Sequence, residues 1–222
     1  TGILDSFLYT IALAENAQKN GAEFFLNQNV TGIGKKDENY TVRTGTASFT
    51  GRWIINCAGL YSDRIANMLG INEYTIYPCR GEYFILDKKL SPLLPMPAYP
   101  VPNAKSGGLG IHLTPTVDGT VLIGPSAEYI DDRDDYSSTR RVMDLLLEDG
   151  ARIFPALSPN AVIRSYSGIR PKLSGKNKGG YADFVIEERD TSPRAIHLIG
   201  IESPGLTASL PIAREVVSRI AQ

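Results

Sequence analysis

The chain has 222 residues, with 42% hydrophobic and 21% charged side chains, which is the balance of a soluble globular protein of one large domain or two small ones. Lys and Arg number 23 against 24 Asp and Glu, so the net charge is −1 and no basic excess points to a nucleic-acid partner. No apolar run is long enough to span a bilayer, which predicts no integral membrane segment.

The first residues predict a piece cut from a longer protein. They include neither an initiator Met nor a signal peptide, and Thr1–Asp5 reads like a loop that enters a helix. Cys57 and Cys79 lie in apolar surroundings without metal-type spacing, which predicts buried free thiols and no metal site. Free thiols indicate a reducing compartment, so we expect a cytoplasmic protein.

The first third of the chain alternates helix and strand signals. Asp5 or Ser6 can cap a helix with one apolar face that runs to about Asn20, where Gly21 is a natural stop. Short strands are expected at Glu23–Leu26, Val30–Gly34, Tyr40–Arg43 and Thr46–Thr50, and the last three form a small antiparallel meander.

The run Arg52–Gly59 is nearly all apolar and ends in Ala58 and Gly59, ahead of a short helix to Met68. A buried parallel strand has this pattern, and the carboxyl end of such a strand is where open α/β sheets bind ligands. Ala58 and Gly59 would let a ligand approach the backbone. A tight strand-to-helix turn with no ligand explains the pattern equally well.

The middle of the chain is dominated by strand signals. A Pro-rich loop over Leu90–Pro102 is either a surface crossover or a lid or partner surface. Glu128–Tyr136 is acidic and predicts a solvated loop. The other expected elements are strands at Tyr74–Tyr77, Gly81–Leu86 and Ala161–Ser165, a hairpin of Gly110–Thr114 with Thr120–Gly124, and an amphipathic helix at Thr139–Phe154.

The last part of the chain passes from strands through a turn into a helix. We expect a polar tip at Gly175–Gly180, then Phe184–Glu188 pairing with Ala195–Ile199. The turn contains Gly200, Ser203, Pro204 and Gly205, and the helix covers Thr207–Ala221. Such a turn exposes unpaired N–H groups and the positive end of a helix dipole, which suits an anionic or electron-rich ligand. The alternative is an ordinary strand-to-helix connection.

These elements predict an α/β protein of mixed α+β character. An incomplete doubly wound layer would be formed by the two ends of the chain, and a large mixed, mostly antiparallel sheet by the middle. We expect domain boundaries at residues 1–70 (layer with the meander), 71–165 (sheet domain) and 166–222 (return to the layer).

Four side chains are candidates for chemistry. Arg170 stands between a Gly and a Pro after a strand, where its fork could capture a carboxylate or phosphate, unless it forms only a surface salt bridge. His112 could accept a proton or be a hydrogen-bonded structural residue, and the apolar strand around His197 favours a structural role. Tyr83 could orient a substrate, with Arg80 and Glu82 on the opposite strand face, or be a buried phenol.

Five segments, taken in order, resemble the FAD-dependent oxidoreductases of the D-amino-acid oxidase type, nearest to the L-2-hydroxyglutarate and glycerol-3-phosphate dehydrogenases. The segments are Ile54–Asp63, Pro78–Tyr83, Gly110–Pro115 with Asp118-Gly119, Ser167–Pro171 and Gly200–Thr207. The Gly-x-Gly-x-x-Gly turn that opens this family is absent, so the resemblance implies a fragment whose further domains lie in a parent chain.

The resemblance implies FAD as cofactor, under a substrate domain that covers the flavin. Val30 would lie near the adenine, and Ala58 and Gly59 would pass the adenosine and pyrophosphate. Gly205, Leu206 and Thr207 would present N–H groups to the flavin ring. The full set of cofactor-binding residues implied is Val30, Ala58, Gly59, Gly168, Gly200, Ser203, Pro204, Gly205, Leu206 and Thr207.

The same resemblance implies a dehydrogenase that oxidises a small anionic hydroxy compound, a 2-hydroxy acid or glycerol 3-phosphate, by hydride transfer to FAD. Arg170 would bind the substrate anion, Tyr83 would face the substrate, and His112 would be the base. We expect the fragment alone to be inactive, and an electron-acceptor protein is a possible partner. The alternatives are an amine or amino-acid oxidase, and a non-catalytic interaction module that uses Leu90–Pro102.

Overall fold

A computed structural model describes residues 2–101, 110–176, 182–189 and 194–221. The helices are α1 (Ser6–Lys19), α2 (Ser62–Met68), α3 (Arg140–Ala151) and α4 (Ser209–Ile220). The strands are β1 (Val30–Lys36), β2 (Asn39–Thr44), β3 (Ser48–Gly51), β4 (Trp53–Asn56), β5 (Tyr77–Leu86), β6 (His112–Pro115), β7 (Val121–Gly124), β8 (Glu128–Tyr129), β9 (Val162–Lys172), β10 (Val185–Arg189) and β11 (Arg194–Ile199). The mixed α/β character with antiparallel sheets confirms the predicted fold class.

The chain divides into two compact units. The first unit contains residues 1–13, 77–170 and 174–181. Its five-stranded sheet has the order β6-β7-β5-β8, and β9 also pairs with β5. One sheet face packs against α3 to form the core, whose buried members are Phe84, Leu86, Leu94, Leu113, Val121, Ile123, Val142, Leu146, Leu147 and Phe154.

Helix α3 forms where a capping residue precedes an amphipathic repeat. The Thr139 side chain accepts a hydrogen bond from the Val142 N–H, which satisfies one free donor of the first turn. The amphipathic pattern of Thr139–Phe154 predicts Val142, Leu145 and Leu146 on the apolar side. Val142 and Leu146 do point into the core, whereas Leu145 is 51% exposed. Helix α3 therefore covers one face of the sheet, and the alternate side chains of the strands point to the other face.

The second unit contains residues 14–76, 171–173 and 182–222. The predicted meander is confirmed as the antiparallel sheet β1-β2-β3. A second sheet has the order β10-β11-β4, in which β4 and β11 run parallel. Two small cores flank this sheet, one around Ile76 and Ile199 and the other around Ile196 and Val216.

Several sequence predictions about strands are wrong. Residues 23–25 form no regular structure and 26–27 a turn, and Phe24 and Phe25 are 49% and 56% exposed. The separate strands expected at Tyr74–Tyr77 and Gly81–Leu86 are instead one strand, β5, that starts at Tyr77 and runs through Pro78. The short strand expected at Ala161–Ser165 extends to Lys172. Strand length follows from partner strands, which the local pattern does not reveal.

Burial was also mispredicted in three places. Cys79 is buried, but Cys57 is exposed. β4 lies at the edge of its sheet in the described part of the chain, and Ile55 is 39% exposed. Helix α1 has the predicted bounds, yet none of its residues is buried in the described structure, and Phe7 is 81% exposed.

The acidic segment that we expected to be a solvated loop is partly structured. Glu128 begins β8, and together with Asp135 it forms ion pairs with Arg80, a β5 residue that is only 5% exposed. Arg80 and Glu82 lie on one face of β5, 3.8 Å apart, as the alternation predicts. Two of the acidic side chains in this segment, Glu128 and Asp135, are therefore paired with Arg80 within the first unit.

Two predicted segments lie wholly or partly outside the described residues. The polar tip at 175–180 is described only to residue 176, and the Pro-rich loop over 90–102 only to residue 101. Among the described helices, none is long and apolar enough to cross a membrane.

Candidate functional site

In the first unit, the sheet face opposite the core carries three of the predicted groups. Side chains of β5 alternate, so Tyr83 lies on the face opposite Phe84. The Tyr83 ring lies against Gly124 of β7, where an added β-carbon would be 2.8 Å from Cδ1 of the ring. Gly124 in turn pairs with His112 of β6. Tyr83, Gly124 and His112 therefore form a row across three strands.

Tyr166 of β9 completes the aromatic part of this row. Its ring stacks on Tyr83 with centroids 5.2 Å apart and planes inclined by 5°. Burial, and then the proximity of Tyr83, raise the pKa of Tyr166 to about 12, so both phenols remain neutral at physiological pH. Sequence reasoning missed Tyr166. The available signal was its even spacing from Arg170, which places both residues on one face of a strand.

Arg170 reaches the same face from within β9, and not from a position after a strand as predicted. Its Nη1 and Nη2 both donate to the Ser126 carbonyl, at 3.3 and 3.4 Å. Burial raises the pKa of the nearby Tyr83 phenol, and the charge of Arg170 opposes that rise in part. Within the described residues, no carboxylate lies within 4.0 Å of the Arg170 guanidinium. The predicted salt bridge is therefore not observed there.

Arg170 keeps hydrogen-bonding capacity for a ligand. A guanidinium has five N–H donors and no acceptor, and within the described residues its hydrogen bonds go to the Ser126 carbonyl and to Cys79 Sγ. A half-buried cation normally has a partner of opposite charge, because removing it from water is costly. Arg170 and Tyr83 together form a place where an anion would supply the missing charge.

His112 is positioned by the backbone beside it. Its Nδ1 is 3.1 Å from the carbonyl oxygen of Gly110, and Tyr99 lies edge-on to its ring at 6.5 Å. A carbonyl oxygen only accepts, so Nδ1 carries a proton, and in the neutral ring Nε2 is therefore the nitrogen with the lone pair. This tautomer is the one that a proton acceptor needs, and the catalytic role of His112 remains a prediction.

In the second unit, two turns leave the same edge of the β10-β11-β4 sheet. Asn56, the last residue of β4, pairs with His197 of the parallel strand β11, so both strands end at about the same level. The chain then continues through Ala58 and Gly59 on one side and through Gly200 on the other. The predicted ligand-binding turns are thus neighbours at the carboxyl ends of parallel strands.

The turn after β11 is tightly packed on its inner side and open on its outer side. Gly205 is buried, and its N–H donates to the Glu202 carbonyl at 2.6 Å. Among the described residues, the N–H groups of Leu206 and Thr207 have no acceptor. Lys172, which sequence reasoning missed, forms a 3.0 Å salt bridge with Glu202 and so holds the turn to the end of β9.

The remaining predicted cofactor residues lie in different places. Gly200 has φ +70 and packs against Leu173, where an added β-carbon would be 2.5 Å from Cγ. Ser203 and Pro204 are exposed in the same turn as Gly205. Val30 begins β1 in the separate meander sheet, and Gly168 is exposed on β9 in the first unit. The geometry groups Ala58, Gly59 and the turn Gly200–Thr207.

Comparisons with known proteins decide the family. The sequence model of the FAD dependent oxidoreductase family (DAO) matches residues 1–219. A glycerol 3-phosphate dehydrogenase from Caloramator mitchellensis is 37% identical over 216 residues, which is 97% of this chain and 43% of that protein. The chain belongs to this family of FAD-dependent oxidoreductases.

Other relatives of this oxidoreductase agree. The mitochondrial L-2-hydroxyglutarate dehydrogenase of Arabidopsis thaliana is 36% identical over 181 residues, covering 75% of this chain and 37% of that protein. The structure of L-alpha-glycerophosphate oxidase from Mycoplasma pneumoniae with FAD bound matches 92% of this chain and 53% of that one, with 29% identity and a TM-score of 0.76. The chain thus spans about half the length of this glycerophosphate oxidase and less than half the length of the two dehydrogenases.

The fold is shared more widely. The glycine oxidase structure from Geobacillus kaustophilus has a TM-score of 0.74 at 22% identity, over 90% of this chain and 49% of that one. Both the predicted family and the predicted fold class are therefore confirmed.

The residues of the second unit fit a dinucleotide of the FAD type. Gly59 has φ +52 and open space where a β-carbon would stand, so a ligand can approach the backbone there. The free N–H groups of Leu206 and Thr207 precede helix α4 and suit an electron-rich ring. Buried Ser62 Oγ, in the turn after β4, also lacks a partner among the described residues.

Proposed function

We propose that this protein oxidises a small anionic hydroxy compound and passes the electrons to FAD. The observation that carries the proposal is Arg170, a partly buried guanidinium with no carboxylate within reach among the described residues. A 2-hydroxy acid or a phosphate monoester would supply the missing anion. Two relatives are a glycerol 3-phosphate dehydrogenase and an L-2-hydroxyglutarate dehydrogenase, which supports this substrate class.

Each group on the open sheet face has a distinct task in this proposal. The Arg170 fork binds the carboxylate or phosphate by charge-assisted hydrogen bonds. The neutral Tyr83 O–H donates a second hydrogen bond to the same anion. His112 takes the hydroxyl proton on Nε2, because its Nδ1–H is bound to the Gly110 carbonyl.

The second unit holds the cofactor in this proposal. Ala58 and Gly59 lie against the adenosine and pyrophosphate, and Leu206 and Thr207 donate their N–H groups to the flavin ring. FAD, when bound, supplies the hydride acceptor for the carbon that bears the hydroxyl. The positive end of α4 favours negative charge at this place.

Replacing Arg170 tests the substrate part of the proposal. We expect Arg170→Met to weaken binding of glycerol 3-phosphate or L-2-hydroxyglutarate by about 10- to 150-fold, the equivalent of a hydrogen bond to a charged group. Arg170→Lys keeps the positive charge but loses the forked guanidinium. Its affinity for each anion should lie between that of the unsubstituted protein and that of Arg170→Met. Titration calorimetry with each compound in turn measures the dissociation constants and identifies the better substrate.

Arg140→Met is the matched control, because Arg140 is a solvent-exposed partner of Asp144 on α3. It removes the same charge and should leave both dissociation constants unchanged. Equal affinity of Arg170→Met and the parent protein for both anions would contradict the proposal. A preference for amino acids such as glycine over both hydroxy compounds would favour the amine-oxidising alternative.

The cofactor part is tested by a single methyl group at Gly205. A β-carbon there would meet the Ile201 side chain and lie 2.7 Å from the Glu202 carbonyl oxygen, which is backbone and cannot swing away. We expect Gly205→Ala to destabilise the fold by about 1–3 kcal/mol and to weaken FAD binding at least tenfold. Quenching of flavin fluorescence measures the binding, and Gly45→Ala, in open space, is the control.

The same titration tests what residues 1–222 do by themselves. Their sequence contains no Gly-x-Gly-x-x-Gly turn, so we keep the prediction that they do not turn substrate over. An absorbance band near about 450 nm after FAD addition, bleached by either hydroxy compound in the absence of air, would contradict that prediction.

A further inference from the structure

The turn after β4 is organised by one buried amide, Asn56, which is 2% exposed. Its Oδ1 accepts a hydrogen bond from the Ala58 N–H at 3.2 Å, and its Nδ2 donates to the Ser62 carbonyl at 2.8 Å. Because one backbone donor and one backbone acceptor are engaged, the amide can have only one orientation. Asn56 thus connects both ends of the turn that contains Gly59.

Asn56 has a third partner, His197, on the neighbouring strand. Its Nδ2 lies 3.1 Å from His197 Nδ1, and His197 is completely buried. Since Nδ2 can only donate, Nδ1 must accept, and the ring must be neutral with its proton on Nε2. An imidazolium would place two donors against each other and break this contact.

The other groups around His197 also bear on its charge. On β10, Glu187 is its direct cross-strand partner, and Glu187 in turn pairs with Arg189. On the side of α2, the Asp63 carboxylate accepts from the N–H groups of Arg64 and Ile76. Burial lowers the pKa of His197, Glu187 raises it and Arg189 lowers it, and the net shift is downward.

We propose that His197 is a positioning residue for the cofactor turn: it holds Asn56, and through Asn56 the Ala58–Ser62 turn, in the shape that receives FAD. This inference rests on the proposed function of that turn. His197 itself needs no contact with the cofactor. It acts as a hydrogen-bond acceptor, and it can do so only while it is neutral.

The tautomer is measurable without FAD. The chain contains two histidines, His112 and His197, so their ¹⁵N resonances are simple to assign. We expect long-range ¹H–¹⁵N spectra at neutral pH to show the Nε2–H form for His197 and the opposite form for His112, whose Nδ1 faces a carbonyl. An Nδ1–H form or an imidazolium at His197 would overturn the inference.

Two substitutions separate positioning from packing. His197→Asn places an oxygen near the Nδ1 position and can still accept from Asn56, whereas His197→Leu fills the site but accepts nothing. We expect His197→Leu to shift the Ala58 and Gly59 amide resonances and to raise the FAD dissociation constant about fivefold, the value of one neutral hydrogen bond. His197→Asn should remain within about twofold of the parent protein.

In thermal stability, we expect His197→Leu and His197→Asn to rank in the opposite order from their FAD affinities. Leu matches the buried volume better than Asn, so His197→Leu should have the higher midpoint of unfolding. If FAD affinity instead follows stability, or if the Ala58 and Gly59 resonances do not move in His197→Leu, the positioning role is wrong. If the resonances move but the unsubstituted protein does not bind FAD, the positioning role of His197 is supported and the proposed cofactor site is wrong.

A pH series gives the same answer independently. In the unfolded chain, His197 takes up a proton near its ordinary pKa of about 6.5. In the folded protein the pKa of His197 is lower, chiefly because the ring is buried. The stability of the parent protein should therefore fall as the pH drops below about 6.5, and the difference from His197→Asn should shrink. An unchanged difference across this range would count against a neutral, hydrogen-bonded His197.

Discussion

We expect Arg80→Met to lower the free energy of unfolding by about 3–5 kcal/mol, the range for removing one partner of a buried ion pair. Arg80 is 5% exposed and forms ion pairs with Glu82, Glu128 and Asp135. Hydrogen bonds and charge from Glu128 and Asp135 hold the pKa of Arg80 above its ordinary value, although burial alone lowers it. Urea unfolding followed by circular dichroism measures the loss.

The decisive partner is Glu82, because it is completely buried while Glu128 and Asp135 are partly exposed. Glu82 Oε2 accepts from the Thr139 N–H at 2.6 Å, but Oε1 has no hydrogen-bond partner among the described residues. Without Arg80, the Glu82 carboxylate would be a buried charge with no cation nearby. The exposed carboxylates can instead be hydrated and lose little.

Two further variants test this explanation. Arg80→Met combined with Glu82→Leu removes the orphaned charge and should recover most of the lost stability. Arg152→Met, at a side chain that is 72% exposed beside Glu148 and Asp149, should cost less than about 1 kcal/mol. Equal losses for Arg80→Met and Arg152→Met would show that the Arg80 cluster is not energetically buried.

The second large effect is expected from Gly81→Ala, and it concerns binding and not stability. A β-carbon at Gly81 would lie 2.5 Å from Arg170 Nη2 and 2.9 Å from Cζ. These atoms are the far end of a flexible side chain, so the guanidinium moves and the backbone remains. Arg170 would then leave the Ser126 carbonyl. We expect affinity for the substrate anion to fall about 10- to 100-fold.

Calorimetric titration with glycerol 3-phosphate and thermal unfolding, measured on the same samples, separate the two effects. The midpoint of unfolding should change little, since only the partly buried hydrogen bonds to the Ser126 carbonyl are lost and no backbone atom has to move. Gly45→Ala is the control, because an added β-carbon there meets nothing within 4 Å. Unchanged anion affinity in Gly81→Ala would show that the position of Arg170 does not matter for binding.

Local chemistry made some parts of this protein predictable. Helix α3 follows from the Thr139 cap and the apolar repeat that includes Val142 and Leu146. The nearly apolar run Arg52–Gly59 predicted a parallel strand, and β4 pairs parallel to β11. The ligand-binding role of the turn Gly200–Thr207 stays a prediction. In these segments the cap, the repeat and the turn residues lie within a few positions of one another, so the sequence contains the whole signal.

Other parts could not be read locally. The pattern at Glu23–Leu26 is typical of a strand, but among the described residues it has no partner strand. Strands β5 and β9 are longer than their patterns predict, because pairing with neighbouring strands extends them. The stacking of Tyr166 on Tyr83 and the contact of Arg170 with Gly81 arise only once β9 pairs with β5. The sequence pattern indicated Arg170 and Tyr83 as candidate site residues but did not indicate Tyr166, which stacks on Tyr83.

By itself, the sequence determined the helices, the turns, the kind of sheet and the family resemblance, because backbone propensity and hydrophobic period act over short distances. Only the tertiary structure decided which polar groups are buried together. Arg80 meets Asp135 across 55 positions, and Asn56 meets His197 across 141. Pairing strands that are distant in sequence creates these contacts, and burial makes them strong, since a polar group away from water must find its partner inside the fold.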